Sequence, residues 1–368
     1  MHKKYKITFR VKTKELPDGD QIYIVGSHDL LGCWRPGAVP LIPDKNGNGY
    51  WERTFTLRNR ADIEYKFTRG SWETEAVDAE GKPLGNFHLH VEKDEVLTIE
   101  IANWRDLIKT PDDERVTTRI TGTVEYHKSV EAPGLLPRDI VVWLPKSYEK
   151  ALEKRYPVLY MHDGQNVFDP VTSYTGVDWQ ADETATKLIA EGRMREIVIV
   201  GVYNTIDRLE EYSTGAKGQK YREFLIHTLK PFIDKTYRTL PEREHTATIG
   251  SSMGGLVSFL LAWFHSETFG KASCLSPSFI FRKNHAIKLI KKSRRPRHKV
   301  RVYMDCGGVG GDALLHKGCK KVLRILRCKG YWRGRNIYYS YYRRARHSEV
   351  DWAKRLWRHF LFLFGKNQ

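Results

Sequence analysis

The sequence has few cysteines and no paired cysteine motif. Its 368 residues include five cysteines, and no two of them form a C-x-x-C pair. An odd number with this spacing indicates neither a disulfide scaffold nor a zinc knuckle. Cys274 and Cys306 lie in apolar, strand-like segments, so we expect their thiols to be buried and chemically inert.

Long hydrophobic runs are also missing. The longest apolar segments span residues 256–264 and 360–364, whereas a helix needs about 20 apolar residues to cross a bilayer. We therefore expect no membrane partner. The first six residues enter an alternating strand directly, without the apolar core of a signal peptide. Such a start is equally expected for a chain that stays inside the cell and for one whose signal has been removed.

Acidic residues are nearly absent from one long region. The formal net charge is +18, and the segment from Arg282 to Arg346 holds 21 Lys and Arg against only Asp305 and Asp312. Aromatic residues such as Trp332 interleave with these cations, as they do on nucleic-acid-binding surfaces. Solvated helix faces that alternate with buried strands explain the same pattern. We favour that second interpretation over a nucleic-acid partner, with attraction of acidic polymers as a secondary hypothesis.

No helix-period segment occurs in the first hundred residues. Short strand patterns separated by Pro, Gly, Asn and Asp lie at residues 4–12, 21–25, 49–56, 63–68 and 95–101. They predict a small antiparallel β-sandwich over residues 1–103. The polar segment around Pro111 predicts a linker at residues 104–118.

Strand and helix patterns alternate from residue 119 to residue 368. Alternation of this kind with continuous apolar strands predicts an α/β domain with a doubly wound, mainly parallel sheet covered on both faces. A ligand site is then expected at the carboxyl ends of the strands.

A G-x-S-x-G motif organises this second domain. Gly250, Ser252 and Gly254 stand between a β-prone segment and an apolar helix start. A strained turn at this place exposes a serine hydroxyl to a base, so Ser252 is the candidate nucleophile. The backbone N–H of Met253 is a candidate oxyanion donor.

Candidate partners for Ser252 follow in the order Ser, Asp, His that α/β-hydrolases use. His347 comes just after a predicted strand at residues 337–342, which suits a general base. Two carboxylates are candidates for the acid: Asp312 ends a glycine-rich loop, and Asp305 ends the preceding strand. We favour Asp312, although it is equally suited to cap the helix that begins at Ala313.

The loop after the strand at residues 158–161 is expected to supply the second oxyanion donor. It reads His-Asp-Gly-Gln-Asn, and Gln165 is the chosen residue. Trp179, Arg208 and Tyr212 lie in further loops, where they either border the substrate pocket or serve only in packing.

The N-terminal domain resembles the starch-binding type of carbohydrate-binding module. The resemblance rests on the segments Ile-Val-Gly-Ser, Leu-Gly-Cys-Trp, Glu-Tyr-Lys-Phe and Ser-Trp-Glu. It implies a sugar platform of Trp34, Lys66 and Trp72, with indole faces stacked on pyranose rings. The family often continues with Asn-Arg, whereas this chain has Asn86 and Phe87. The domain is therefore either a glycan-binding module or a spacer that kept the sandwich.

Most of the chain from residue 119 onward resembles the putative-esterase branch of the α/β-hydrolases. The resemblance rests on residues 156–169, on Gly250 to Gly255 and on the pattern His347-x-Glu349-x-x-Trp352. It implies ester hydrolysis through an acyl-enzyme, without metal or cofactor. Aligning the branch's acid turn places Gly310 at the acid position, two residues before Asp312.

The main functional hypothesis is a serine esterase acting on feruloyl or acetyl esters attached to carbohydrate. Activity on aryl esters and polyesters is also expected, because such sites discriminate weakly among activated esters. One alternative is an enterobactin-type siderophore esterase. Another is a non-catalytic glycan- or polyanion-binding protein on a hydrolase fold.

Overall fold

The computed structural model describes residues 3–14, 16–44, 48–72, 74–81, 84–108 and 120–366. The chain divides into two compact units, one of Met1–Thr117 with Tyr174–Gly176 and one of Thr118–Ser173 with Val177–Gln368. Residues 109–119 lie outside the described ranges, so the linker at 104–118 stays a prediction. Among the described residues, no helix has the length and hydrophobicity needed to cross a membrane.

The N-terminal unit is the expected small β domain. Its nine strands are β1 Lys4–Thr13, β2 Tyr23–Gly26, β3 Ile42–Pro43, β4 Tyr50–Arg58, β5 Asp62–Thr68, β6 Ala76–Val77, β7 Phe87–His90, β8 Glu95–Ile101 and β9 Asn103–Trp104. They form sheets of order β3-β4-β1-β8, β2-β5-β7 and β6-β9. Pairing is antiparallel except between β1 and β8, which run parallel.

Alternation along β1 gives this unit its core. Ile7, Phe9 and Val11 are fully buried, while the residues between them are at least partly exposed, because successive side chains of a strand point to opposite faces. Phe9 meets the ring of Tyr65 edge-on, with centroids 4.8 Å apart.

The second unit contains the predicted mainly parallel sheet. Its eight strands are β10 Thr123–Val130, β11 Arg138–Leu144, β12 Val158–His162, β13 Val198–Val202, β14 Thr246–Ser251, β15 Lys271–Leu275, β16 Arg301–Gly307 and β17 Ile337–Tyr342. The order is β10-β11-β13-β12-β14-β15-β16-β17. Only the pairs that involve β10 and β11 are antiparallel.

Helices cover both faces of this sheet. They are α1 Ala181–Ala190, α2 Arg208–Glu211, α3 Ala216–Phe224, α4 Lys230–Thr236, α5 Met253–Phe264, α6 Phe281–Lys292, α7 Gly311–Cys328 and α8 Glu349–Phe364. Val158 and Tyr160 of β12 belong to one core with Leu256 of α5. Leu159 and Met161 belong to the opposite core, with residues of α1 and α8. The predicted doubly wound architecture is thus confirmed.

A buried ion pair joins β11 to α2. The Arg138 guanidinium donates to both carboxylate oxygens of Glu211, at 2.9 and 2.8 Å, and neither side chain is exposed. The Arg138 guanidinium also lies 5.1 Å from the centroid of the Tyr221 ring. Removing one partner of such a pair leaves an uncompensated charge in the protein interior.

We expect Glu211→Gln to lower the free energy of unfolding by about 3–5 kcal/mol, because Arg138 loses its counter-charge. Urea unfolding of the full chain measures this. The control is Lys128→Ala, which removes an exposed partner of Asp139 and should cost less than about 1 kcal/mol. Equal, small losses for the two variants would contradict the expectation.

Candidate active site

Ser252 stands on a strained turn between β14 and α5. Its φ of 54° and ψ of −117° lie in a region that non-glycine residues rarely adopt, and such strain is common at nucleophile turns. The turn also needs glycine. A Cβ on Gly250 would approach the backbone carbon of Gly254 to 2.5 Å.

The segment after β15 holds this turn from the neighbouring strand. The Ser252 N–H donates to the Leu275 carbonyl at 2.9 Å, and the Ser278 N–H donates to the Ser252 carbonyl at 2.9 Å. The Ser252 and Ser278 hydroxyl oxygens lie 3.1 Å apart. Sequence analysis missed Ser278. The available signal was its position just after β15, since neighbouring parallel strands end at the same edge.

The structure brings His347 and Asp312 together. His347 Nδ1 lies 2.6 Å from Asp312 Oδ1. The other carboxylate oxygen accepts from the Ser276 hydroxyl and from the Gly307 N–H, each at 2.8 Å. Burial alone would raise the pKa of Asp312, but hydrogen bonding and charge from His347, with these two donors, hold that pKa below its usual range. Asp312 is therefore ionised at neutral pH.

Asp305 pairs with two residues of α8 instead. Its Oδ2 is 2.7 Å from Arg355 Nε and 2.9 Å from His359 Nε2. Within the described residues, Asp312 and not Asp305 pairs with His347. Of the two acids that the sequence left open, only Asp312 has the geometry of a triad acid.

Gln165 lies on the predicted loop after β12. It belongs to a short 3₁₀ turn, Gly164–Asn166, preceded by Asp163 with a φ of 61°. A Cβ on Gly164 would come within 2.5 Å of the Gly201 backbone, so this loop can approach the sheet only with glycine there. Met253 opens α5, where first-turn N–H groups have no helical acceptor.

Arg208 and Tyr212 support this loop. Arg208 donates to both carboxylate oxygens of Asp163, at 2.6 and 2.7 Å, and the Tyr212 hydroxyl accepts from the Asp163 N–H at 3.2 Å. Tyr212 and Trp179 are both buried, and Trp179 packs against Trp352 with ring centroids 5.9 Å apart. Trp179 and Tyr212 are buried whereas Arg208 is partly exposed, and a role of the three residues at the substrate pocket stays a prediction.

His162 is no competitor for the role of base. Its two ring nitrogens lie 2.9 Å from the Tyr221 hydroxyl and 3.0 Å from the Thr248 hydroxyl. Burial lowers the pKa of His162 to about 3, so the ring stays neutral throughout the physiological range.

Comparison with known proteins agrees with this geometry. Residues 136–363 match the sequence profile of the family described as Putative esterase. The chain belongs to this esterase family. Residues 4–97 match the profile of the starch binding domain, so the two resemblances found in the sequence are confirmed.

Three individual relatives extend the comparison. An endo-1,4-beta-xylanase/feruloyl esterase of Xylanibacter ruminicola is 27% identical over 194 residues, which are 52% of this chain but only 25% of that protein. The solved structure of a ferulic acid esterase covers 66% of this chain and 98% of its own, with a TM-score of 0.54 and 24% identity. The solved structure of the enterobactin esterase of Shigella flexneri covers 98% of this chain and 93% of its own, with a TM-score of 0.53 and 14% identity. At these identities the two structures show a shared fold.

Two tryptophans of the starch-binding domain lie side by side. Trp34 and Trp72 have ring centroids 6.5 Å apart, with 33° between the planes, and both are partly exposed. The structure does not bring Lys66 to a sugar-accessible position. The Lys66 ammonium lies 2.8 Å from a Glu75 carboxylate oxygen, and only 11% of the lysine side chain is exposed.

One carboxyl cluster among the described residues of the esterase unit has the spacing of a cation site. The oxygens of Asp178, Asp182 and Glu183 lie within 4.8 Å of one another. Burial, followed by a hydrogen bond with Asp182, raises the pKa of Glu183 to about 7. A group of carboxyls is by itself no evidence of a bound ion, so we assign no metal there.

We expect Asp312→Asn to lower kcat on p-nitrophenyl acetate by about 10³–10⁴-fold, because the imidazole loses the carboxylate that fixes its tautomer. The matched control is Asp305→Asn, which changes an equally buried carboxylate. That variant should lower thermal stability and leave kcat within about tenfold of wild type, since Asp305 serves Arg355 and His359. The reverse order of the two effects on kcat would contradict the assignment.

Proposed function

We propose that this esterase-family chain is an active serine carboxylic ester hydrolase that works through an acyl-enzyme. Ser252 is the nucleophile, His347 the general base and Asp312 the acid. The observation that carries the proposal is the 2.6 Å hydrogen bond between His347 and Asp312, formed at the same sheet edge as the strained Ser252 turn. Three residues far apart in sequence then follow the carboxyl ends of β14, β16 and β17, which belong to one sheet.

Each residue of the triad has a distinct role. Asp312 accepts the Nδ1–H of His347, which leaves Nε2 as the basic atom. His347 Nε2 takes the hydroxyl proton as Ser252 Oγ attacks the ester carbonyl, and the carbonyl oxygen becomes an oxyanion that the N–H groups of Met253 and Gln165 stabilise. His347 then returns the proton to the departing alcohol, which leaves the acyl group on Ser252.

Water completes the cycle. His347 Nε2 removes a proton from the water as its oxygen attacks the acyl-enzyme, and returns that proton to Ser252 Oγ when the carboxylic acid departs. Ser278 is well placed to orient the nucleophile in both steps, because its hydroxyl oxygen lies 3.1 Å from that of Ser252.

The substrate class that we propose is an ester attached to carbohydrate, of feruloyl or acetyl type. Two observations support it. A relative named as a xylanase and feruloyl esterase aligns with about half of this chain, and a starch-binding domain precedes the esterase unit. The second candidate is a siderophore lactone. An anionic catecholate would suit the basic region between residues 282 and 346, which carries 21 cationic against two acidic side chains.

We expect Ser252→Ala to abolish hydrolysis of p-nitrophenyl acetate and butyrate, since no other group in the proposed mechanism forms the acyl-enzyme. The matched control is Ser251→Ala, the same change one residue earlier, which should remain active. Methyl ferulate, acetylated xylan and a catecholate trilactone then identify the substrate class. Wild-type turnover no greater than that of Ser252→Ala would contradict the enzyme proposal and favour a binding protein.

We also propose that Trp34 and Trp72 bind glucan through stacking on pyranose faces. Replacing both by Ala should weaken binding of soluble starch by at least about tenfold, which corresponds to about 1.4 kcal/mol of lost stacking. Trp357→Ala, which removes an exposed tryptophan of the esterase unit, should bind starch as wild type does. Absence of starch binding by the wild type would instead support the spacer interpretation.

A further inference from the structure

A region of the esterase unit presents cations to solvent without any exposed carboxylate. Between residues 282 and 346 the only acidic residues are Asp305 and Asp312, and both are fully buried. The remaining residues of the chain carry 41 Lys and Arg against 42 Asp and Glu. A surface that served solubility alone would be expected to mix the two signs, as the rest of this chain does.

Apart from Arg282, which pairs with Glu210, the cations of this region are not used in ion pairs among the described residues. Within the described residues, none of the Lys and Arg side chains from Lys283 to Arg346 lies within 4.0 Å of a carboxylate oxygen. Elsewhere in the same unit, exposed cations such as Lys154 and Arg193 do pair with glutamates. The charge of the region is therefore available to an external anion.

Three of these arginines lie beside the proposed base. Arg343, Arg344 and Arg346 are exposed on the loop that leads to His347. The carbonyl of Ala345 on this loop accepts from the N–H groups of Gly308 and Val309, at 3.1 and 3.2 Å. We call these three arginines the rim, because their loop packs against the one that leads into α7 and Asp312.

A stripe of cations lies along α7, the helix whose first turn holds Asp312. Its members are exposed and recur at helical spacing: Lys317, Lys320, Arg324 and Arg327. At 1.5 Å per residue, the helix from Asp312 to Arg327 spans about 22 Å. The Arg327 guanidinium lies 5.7 Å from the ring centroid of Trp332, which is 50% exposed and offers a flat apolar face at the far end.

We infer that the rim and the stripe bind an anionic polysaccharide whose sugars carry carboxylates, and so hold the polymer at the active site. The inference rests on the proposed function, because a glycan-linked ester brings its own polymer to Ser252. Guanidinium groups bind carboxylates through two parallel hydrogen bonds. The stripe from Lys317 to Arg327 is about 15 Å long, and a line of cations of that length suits a polymer better than a single small anion.

The test is binding of polygalacturonate by the full chain carrying Ser252→Ala, which cannot turn over an ester. Binding should weaken by at least about tenfold when three further substitutions are added to this protein: Arg343→Ala, Arg344→Ala and Arg346→Ala. Without them, binding should weaken as salt rises from 50 to 200 mM. The matched control is a triple variant that removes three exposed lysines of the same unit, with Lys146→Ala, Lys150→Ala and Lys187→Ala. It should bind normally.

A second variant guards against misfolding of the rim loop. Lys317→Ala, Lys320→Ala and Arg324→Ala change only exposed positions of a helix, where alanine is favourable, and should also weaken binding. Equal binding by these variants and the lysine control would overturn the inference, as would tighter binding of a DNA duplex than of polygalacturonate. Because the binding assay uses Ser252→Ala, its result does not depend on ester hydrolysis. Failure of the esterase proposal would appear in the hydrolysis assays, and failure of this inference would appear in the binding assay.

Discussion

The candidate site depends on keeping one buried carboxylate ionised. Asp312 has no exposed surface, and a charge in such a place is costly unless hydrogen bonds compensate for the lost water. His347, the Ser276 hydroxyl and the Gly307 N–H provide them. These donors come from the ends of β15 and β16 and from the loop after β17, so the ionised acid ties together three neighbouring strand ends.

A second buried carboxylate lies close by, and one arginine serves both. Arg355 of α8 places Nε 2.7 Å from Asp305 and donates from Nη2 to the Ser276 hydroxyl at 3.0 Å. That hydroxyl in turn donates to Asp312. Arg355 therefore forms an ion pair with Asp305 directly, whereas it reaches Asp312 only through the Ser276 hydroxyl, which it polarises. This division leaves Asp312 free to accept the imidazole N–H.

The position of the acid explains the departure from the family pattern. Gly310, which aligns with the acid position of the resemblance, adopts a φ of 59° and a ψ of −135°, a conformation that favours glycine. The chain then enters α7 at Gly311, and Asp312 lies in its first turn. The positive end of the helix favours an ionised carboxylate there. In this chain the proposed acid belongs to the helix rather than to the loop.

In the esterase unit, local pattern was enough to predict the alternation of strands and helices, the turn at Ser252 and the mainly parallel sheet, because periodicity and glycine spacing act within a few residues. Only the tertiary structure distinguishes Asp305, in β16, from Asp312, in the first turn of α7, because α8 and the loop after β17 bring different partners to them. Local sequence patterns also did not predict the contact of Ser278 with Ser252 or the ion pair of Lys66 with Glu75. They did not predict the parallel pairing of β1 with β8 either. Apart from Glu75, nine residues after Lys66, these partners lie far apart in the chain, beyond the range of local periodicity.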